Sequence, residues 1–257
     1  MSCIQAKTMR AFHNRIKQCV IRHVSHQCEY LFDLAVGRGG DIFKWHKCDI
    51  PNVIGVDIDT EYINEANRRY KSSEIFSNEY KYSFHVVKHD DILHELYEHD
   101  KFNVVSCQFA IHYFFKSKER LHQMLHDVTL LLKPDGYFIG TFMNGTKVLQ
   151  LIQNGTCDFM NKAMLIHSDQ IIKEPSFGNE IKVHLIDTLY FGDDSVSTEY
   201  LVIPEILKQE CEHFGFELIE IKSFEQYYHT MHKTFKLDRD HQTCSYLYST
   251  FVFKLKK

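Results

Sequence analysis

The chain is 257 residues long, and what it lacks narrows its class first. No apolar run approaches the length of a membrane span, so no membrane partner is expected. The opening Met1-Ser2-Cys3-Ile4-Gln5 lacks the charged-then-apolar pattern of a secretory signal. None of the eight cysteines forms a C-x-x-C pair, which argues against a zinc knuckle and leaves no metal expected. Reduced thiols in a cytosolic compartment follow as the expectation. A positive excess is missing too: the net charge is -4, unlike a protein that coats long stretches of nucleic-acid backbone. Holding a single nucleotide end stays open. No internal repeat, low-complexity tract or linker divides the chain. Histidine, in contrast, is abundant at seventeen residues, most of them read as structural.

With 44% hydrophobic residues, the length suits one sizeable α/β domain. Residues 5–28 carry Met9, Phe12, Ile16, Cys19 and Val20 at helical spacing. Strands are predicted at 31–35, 53–57, 84–88, 103–107 and 136–142, and helices at 41–46, 60–70 and 117–132. Thr60 is the expected N-cap of the second of these. Lys133-Pro134-Asp135-Gly136 reads as the turn that ends the long helix. Strand–helix alternation gives a Rossmann-like α/β fold with a mostly parallel seven-stranded sheet and helices on both faces. Beyond residue 143 the pattern loosens. Loops and one short helix are expected over 145–180, strands at 181–190 and 198–203, and a helix from Pro204 to about 213. An antiparallel pair at 215–223 and 246–253 would close the sheet. One domain results: an N-terminal helix (1–28), a core (29–143), an embellishment (144–214) and the final pair (215–257).

The chemistry concentrates at Leu31-Phe32-Asp33-Leu34-Ala35-Val36-Gly37-Arg38-Gly39-Gly40-Asp41, an apolar strand running into a glycine turn and a helix start. Such a turn lets backbone N–H groups approach a ligand, and Asp57, ending the next strand, is placed to hold ribose hydroxyls. A dinucleotide fits poorly, because Asp41 in the first helical turn would repel a diphosphate. It suits S-adenosylmethionine, which is cationic and has no phosphate. Asp33 and Asp41 would face its positive groups, and Asp90-Asp91 would take the adenine amino group. The plain alternative is that these acids are caps and turn residues.

Further motifs resemble the mRNA cap guanine-N7 methyltransferases. Phe32–Asp41 looks like that family's L-D-L-x-x-G-K-G-G-D signature. Ser106-Cys107-Gln108-Phe109-Ala110-Ile111-His112-Tyr113-Phe114-Phe115 looks like S-x-Q-F-x-x-H-Y-x-F. Asn14-Arg15-Ile16-Lys17, Glu199-Tyr200-Leu201-Val202 and Leu247–Phe253 resemble its N-x-I-K, E-Y-L/F-V and L-Y-x-x-F-V-F segments. The style is similar to the methyltransferase domain of capping enzymes of large cytoplasmic DNA viruses, African swine fever type most of all. The resemblance implies that Lys17 pairs with the methionine carboxylate. Asp33, Ala35 and Gly37 would surround the amino-acid end of the cofactor, Asp57 would hold the ribose and Asp90 the adenine, with the Gln108 backbone nearby. The cap guanine would sit among Asn14, Phe109, His112, Tyr113, Glu199 and Tyr248. Ala35 stands where the family usually has glycine, and Arg38 replaces lysine. The implied substrate is the capped 5′ end of mRNA and the product S-adenosylhomocysteine. Triphosphatase and guanylyltransferase domains of the same enzyme are implied partners, and the host cytoplasm is the implied location.

Guanine N7 carries a lone pair and no proton, so no acid or base is expected. His112, Tyr113 and Glu199 would orient the base. A basic rim for the cap triphosphate is expected from Arg10, Arg15, Lys17, Arg22, Arg38, Lys44 and Lys47. Two other readings compete: a methyltransferase for a different acceptor, and a non-catalytic cap-binding module.

Overall fold

A computed structural model of the chain describes residues 2–26, 28–73, 79–88, 91–97, 101–152, 158–186 and 196–256. Helix α1 (Ser2–Val24) leads into β1 (Tyr30–Asp33), α2 (Ile42–His46), β2 (Asn52–Asp57), α3 (Thr60–Lys71), β3 (Lys81–Val86) and α4 (Leu93–Leu96). Then come β4 (Phe102–Gln108), a 3-10 helix (Ile111–Lys116), α5 (Lys118–Leu131) and β5 (Leu132–Met143). The expected alternation therefore holds through the first half. The N-cap of α3 is Asp59 rather than Thr60: its carboxylate accepts from the N–H groups of Glu61 and Tyr62. A carboxylate at that position also favours the positive helix end. The turn at 133–136 is absorbed into β5. Leu132 caps α5 and enters the strand directly, while Asp135 takes φ +64° where the register against β4 breaks.

The second half holds α6 (Gly145–Ile152), β6 (Asp158–Met160), β7 (Met164–His167), β8 (Glu180–Leu185), β9 (Ser197–Tyr200), α7 (Pro204–His213), β10 (Phe216–Ser223), α8 (Phe224–Met231), α9 (Arg239–Tyr246) and β11 (Tyr248–Leu255). Seven strands form the main sheet in the order β10-β11-β5-β4-β1-β2-β3. Its β5-β4-β1-β2-β3 part is parallel, and β11 and β10 run antiparallel at one end. The sequence pattern leaves out β6 and β7, and with them a four-stranded antiparallel sheet, β6-β7-β8-β9. It also leaves out α8 and α9. The end of the strand expected over 181–190 lies outside the described residues.

Alternate residues of the central strands feed two cores. Leu31 and Val104 pack with Phe12, Ile16 and Trp45 on one face. Phe32, Val105 and Phe138 pack with Leu121, Leu125 and Val128 of α5 on the other. Each such buried side chain contributes roughly 1.5–3 kcal/mol. Burial on both faces fixes strand register, since a one-residue slip would invert every side chain. The carboxyl ends of β1, β2, β4 and β5 thus open together on one edge, where ligands of such sheets bind.

Candidate active site

At that edge lies a cavity of about 320 Å³. Its wall includes Asn14 and Lys17 of α1, the loop residues Ala35, Gly37 and Asp41, then Gln108, Phe109, His112 and Tyr113, and finally Glu199 and Tyr248. Residues spread over 234 positions of sequence are brought together because α1, three strand ends and β9 converge there.

The glycine loop is held from beneath. Gly37 (φ +52°) donates its N–H to Asp57 Oδ2 at 2.8 Å, and the other Asp57 oxygen accepts from Asp59 N–H. Asp57 therefore shapes the loop, and the remaining lone pairs of its oxygens are what a ribose would use. Asp33 is buried at the end of β1, with Oδ1 accepting from Ala35 N–H and Oδ2 without a hydrogen-bond partner. Burial, then the Asp41 charge, push its carboxyl up to about 7. Gln108 Oε1 is a second buried acceptor without a partner, while its Nε2 donates to Ser106 Oγ. Two orphaned acceptors at a strand edge fit a cationic ligand rich in donors.

Asp41 departs from the expectation. It is already paired, with Lys17 Nζ and Lys44 Nζ each 2.8 Å from Oδ1. Lys17 also donates to Oδ2 at 2.9 Å. Asp41 is a counter-ion for the chain's own lysines rather than an open acid facing a ligand, and its side chain makes no cap bond to α2. The net charge of the trio is positive, which suits a carboxylate at Lys17. Asp91 departs as well. Its carboxylate accepts from Lys88 N–H at 2.6 Å, as a turn residue does, and it lines no part of the cavity. Asp90 lies outside the described residues.

The opposite half of the cavity is aromatic. Phe109 follows β4 with φ +56°, fixed by its N–H bonding to both Thr141 O and Thr141 Oγ1. Its ring meets Tyr248 edge-on (5.3 Å, 81°) and stacks with His13 (5.9 Å, 25°). The 3-10 helix supplies His112 and Tyr113, and the edge strand β9 leans on it. Glu199 Oε2 comes to 3.8 Å from His112 Nδ1. His112 Nε2 is buried without a partner, and burial lowers the pKa of the ring. A neutral imidazole beside a carboxylate offers one donor and one acceptor to a planar ligand.

Sequence reasoning missed His13, Tyr62 and Arg69, all on the cavity wall. The signal for His13 was present: Arg10, His13, Asn14 and Lys17 fall on one helical face. His13 is neutral, its pKa lowered to about 3 by burial, and it shares a 2.9 Å hydrogen bond with Ser245 Oγ. Only part of the expected rim gathers. Arg10, Lys17 and Arg38 reach the cavity, and Arg38 lies over the Tyr62 ring at 4.8 Å. Arg22 instead bonds Lys47 O, Arg15 bonds Gln18, and Lys44 bonds Gly40 O.

Comparison with known proteins follows this geometry. The family model for the mRNA (guanine-N(7))-methyltransferase domain matches residues 2–248. The chain belongs to this family. The "mRNA cap guanine-N(7) methyltransferase 1" of Oryza sativa subsp. japonica is 29% identical over 238 residues, covering 86% of this chain and 62% of that protein. The "mRNA cap guanine-N(7) methyltransferase" of Schizosaccharomyces pombe is 30% identical, covering 84% and 61%. The chain thus spans about three fifths of the length of these relatives. Among solved structures, the CcbJ methyltransferase from Streptomyces caelestis superposes with TM-score 0.61 at 14% identity, covering 95% of this chain and 90% of that one. An S-adenosylmethionine-dependent methyltransferase from Clostridium acetobutylicum gives 0.59 at 16%, covering 98% and 92%. The fold is that of S-adenosylmethionine-dependent methyltransferases.

One spelling in this family member invites a different reading. Lys133-Pro134-Asp135-Gly136 fits K-x-D-G, the pattern of a nucleotidyl-lysine loop. Lys133 Nζ lies over the ring of Tyr30, where β1 begins, and bonds Asn103 near the start of β4. That is the amino edge of the sheet, opposite the cavity, and the segment belongs to the start of β5.

Proposed function

We propose that this chain transfers a methyl group from S-adenosylmethionine to N7 of the guanine cap of mRNA. The observation that carries the proposal is that one cavity joins two unlike halves. One has a glycine loop, the Lys17–Asp41 pair and the unsatisfied Gln108 acceptor. The other has Phe109, His112, Tyr113, Glu199 and Tyr248. Lys17 would hold the methionine carboxylate, Asp33 the ammonium and Asp57 the ribose. Asn14, His112, Tyr113 and Glu199 would address the guanine edge, with Phe109 and Tyr248 against its faces. Arg38 and Arg69 at the cavity wall suit the triphosphate.

When bound, the cofactor supplies a methyl group activated on a sulfonium, and S-adenosylhomocysteine is the product. Guanine N7 provides the electron pair for the new bond, and the carbon–sulfur pair returns to sulfur. No proton moves, so the side chains orient rather than titrate. Holding nucleophile, carbon and leaving group in line is worth about 7–11 kcal/mol. The Glu199 carboxylate stabilises the positive charge that develops on the ring.

The motif style supports a methyltransferase domain of a cytoplasmic DNA-virus capping enzyme, working in the host cytoplasm beside triphosphatase and guanylyltransferase domains. The decisive experiment gives labelled cofactor to purified chain with capped RNA, uncapped RNA and a cap dinucleotide. Label at guanine N7 of the capped species alone is the expected result. Label on another acceptor would favour a different methyltransferase, and cap binding without transfer would favour a binding module.

A further inference from the structure

Away from the cavity, His94, His126 and Asp127 each bring one donor atom to within 4.8 Å of the other two. We propose that they form a binding site for a divalent transition-metal ion of the zinc class, clamping α4 onto α5. The site has no part in methyl transfer, and the proposal is independent of the reading above.

Charge is the first argument. Asp127 is buried, at 3% exposure. Among the described residues its partner is His94, whose backbone N–H lies 3.4 Å and whose Nδ1 lies 2.5 Å from Asp127 Oδ1. No lysine or arginine forms an ion pair with it among those residues. A buried carboxylate needs a positive counterpart. A divalent ion held by the two imidazoles and this carboxylate would provide it.

Donor chemistry is the second. Two imidazole nitrogens and one carboxylate oxygen suit zinc, cobalt or nickel, while magnesium and calcium prefer all-oxygen shells. The His126 ring meets the His94 ring edge-on at 5.2 Å. Metal–donor bonds near 2.1 Å place tetrahedral donors about 3.4 Å apart. Occupancy would therefore open the His94–Asp127 contact by about 1 Å. It would also swing in the exposed His126 side chain. Any proton on the His94 nitrogen that binds the ion leaves as the bond forms. Three protein donors leave the fourth position to water.

Topology is the third. His94 belongs to α4, only four residues long, and the other two donors belong to α5. An ion there would join a short element to a long one.

The test titrates CoCl₂ into the metal-stripped chain while following visible absorption, and ZnCl₂ by calorimetry. One equivalent should bind more tightly than about 10 µM with a tetrahedral cobalt band, and ZnCl₂ should raise the melting temperature. His126→Ala changes an exposed residue and should fold. It should weaken binding at least about tenfold and abolish the thermal shift, with methyl transfer unchanged. MgCl₂ should not compete. Absence of saturable binding, or equal binding by His126→Ala, would overturn the proposal, the latter by assigning the ion to other histidines.

Discussion

The Lys17 ammonium sits 2.8 Å from Asp41 Oδ1, and that contact ties the first helix to the glycine loop. With Lys44 on the same oxygen, one carboxylate is the shared counter-ion of two nearly buried cations. Removing it leaves both without a counter-charge. Asp41→Asn should cost about 3–5 kcal/mol in urea unfolding. Adding Lys44→Met should recover part of that loss, since the two changes share one network. An Asp41→Asn protein as stable as the wild type would contradict the pairing.

Asp33 sets a pH dependence. Its carboxyl titrates near 7 in the folded chain against an ordinary 3.8, so the folded state keeps a proton that the unfolded state loses. Stability of the ligand-free protein should therefore fall as pH climbs from about 4 to about 7, then level off. A bound ammonium requires the ionised form, so cofactor affinity should rise over the same interval. Asp33→Asn should flatten the thermal profile. Calorimetry in two buffers should show proton release on cofactor binding below pH 7 in the wild type. An unchanged slope in the variant would remove Asp33 as the cause.

Glu199 and His112 face each other at 3.8 Å, and their loss should affect substrate rather than cofactor. Glu199→Gln should raise the KM for capped RNA about 10–100-fold through weakened charge-assisted hydrogen bonds, with cofactor affinity unchanged. His112→Asn should raise KM without adding a basic limb to the pH–rate profile. Collapse of kcat alone, both binding constants intact, would mark His112 as a proton carrier and refute the orienting role.

A side chain at Gly39 would be strained. Its φ is +71°, and a Cβ would lie 2.5 Å from Ile42 Cδ1 and 3.2 Å from Ala66 Cα. Gly39→Ala should destabilise the fold by about 1–3 kcal/mol and weaken cofactor binding through the displaced loop. Chemical denaturation and cofactor titration test both halves.

The parallel core was legible because its strands are short apolar runs punctuated by glycine and aspartate, as at Asp33 and Asp57. The aromatic half was legible through the Gln108–Phe115 motif. Three features were not. Asp41 reads as an open acid in sequence because Lys17, 24 positions away, is joined to it only by folding. Strands β6 and β7 are three and four residues long, too short to establish a period. Arg69 and Tyr62 sit on a helix whose polar face carries many charges, and nothing local distinguishes the two that turn toward the cavity.

Strand β11 is hydrogen-bonded on both sides, between β5 and β10, and it delivers Tyr248 opposite Met143. A ribosome making this chain must release residues 248–255 before that slot in the sheet can be filled. Until then Phe109 can meet Phe224 edge-on but not Tyr248, and the aromatic half of the cavity lacks that wall. A nascent chain stalled upstream of Tyr248 carries the whole glycine loop but leaves open the side of the cavity that this ring would wall.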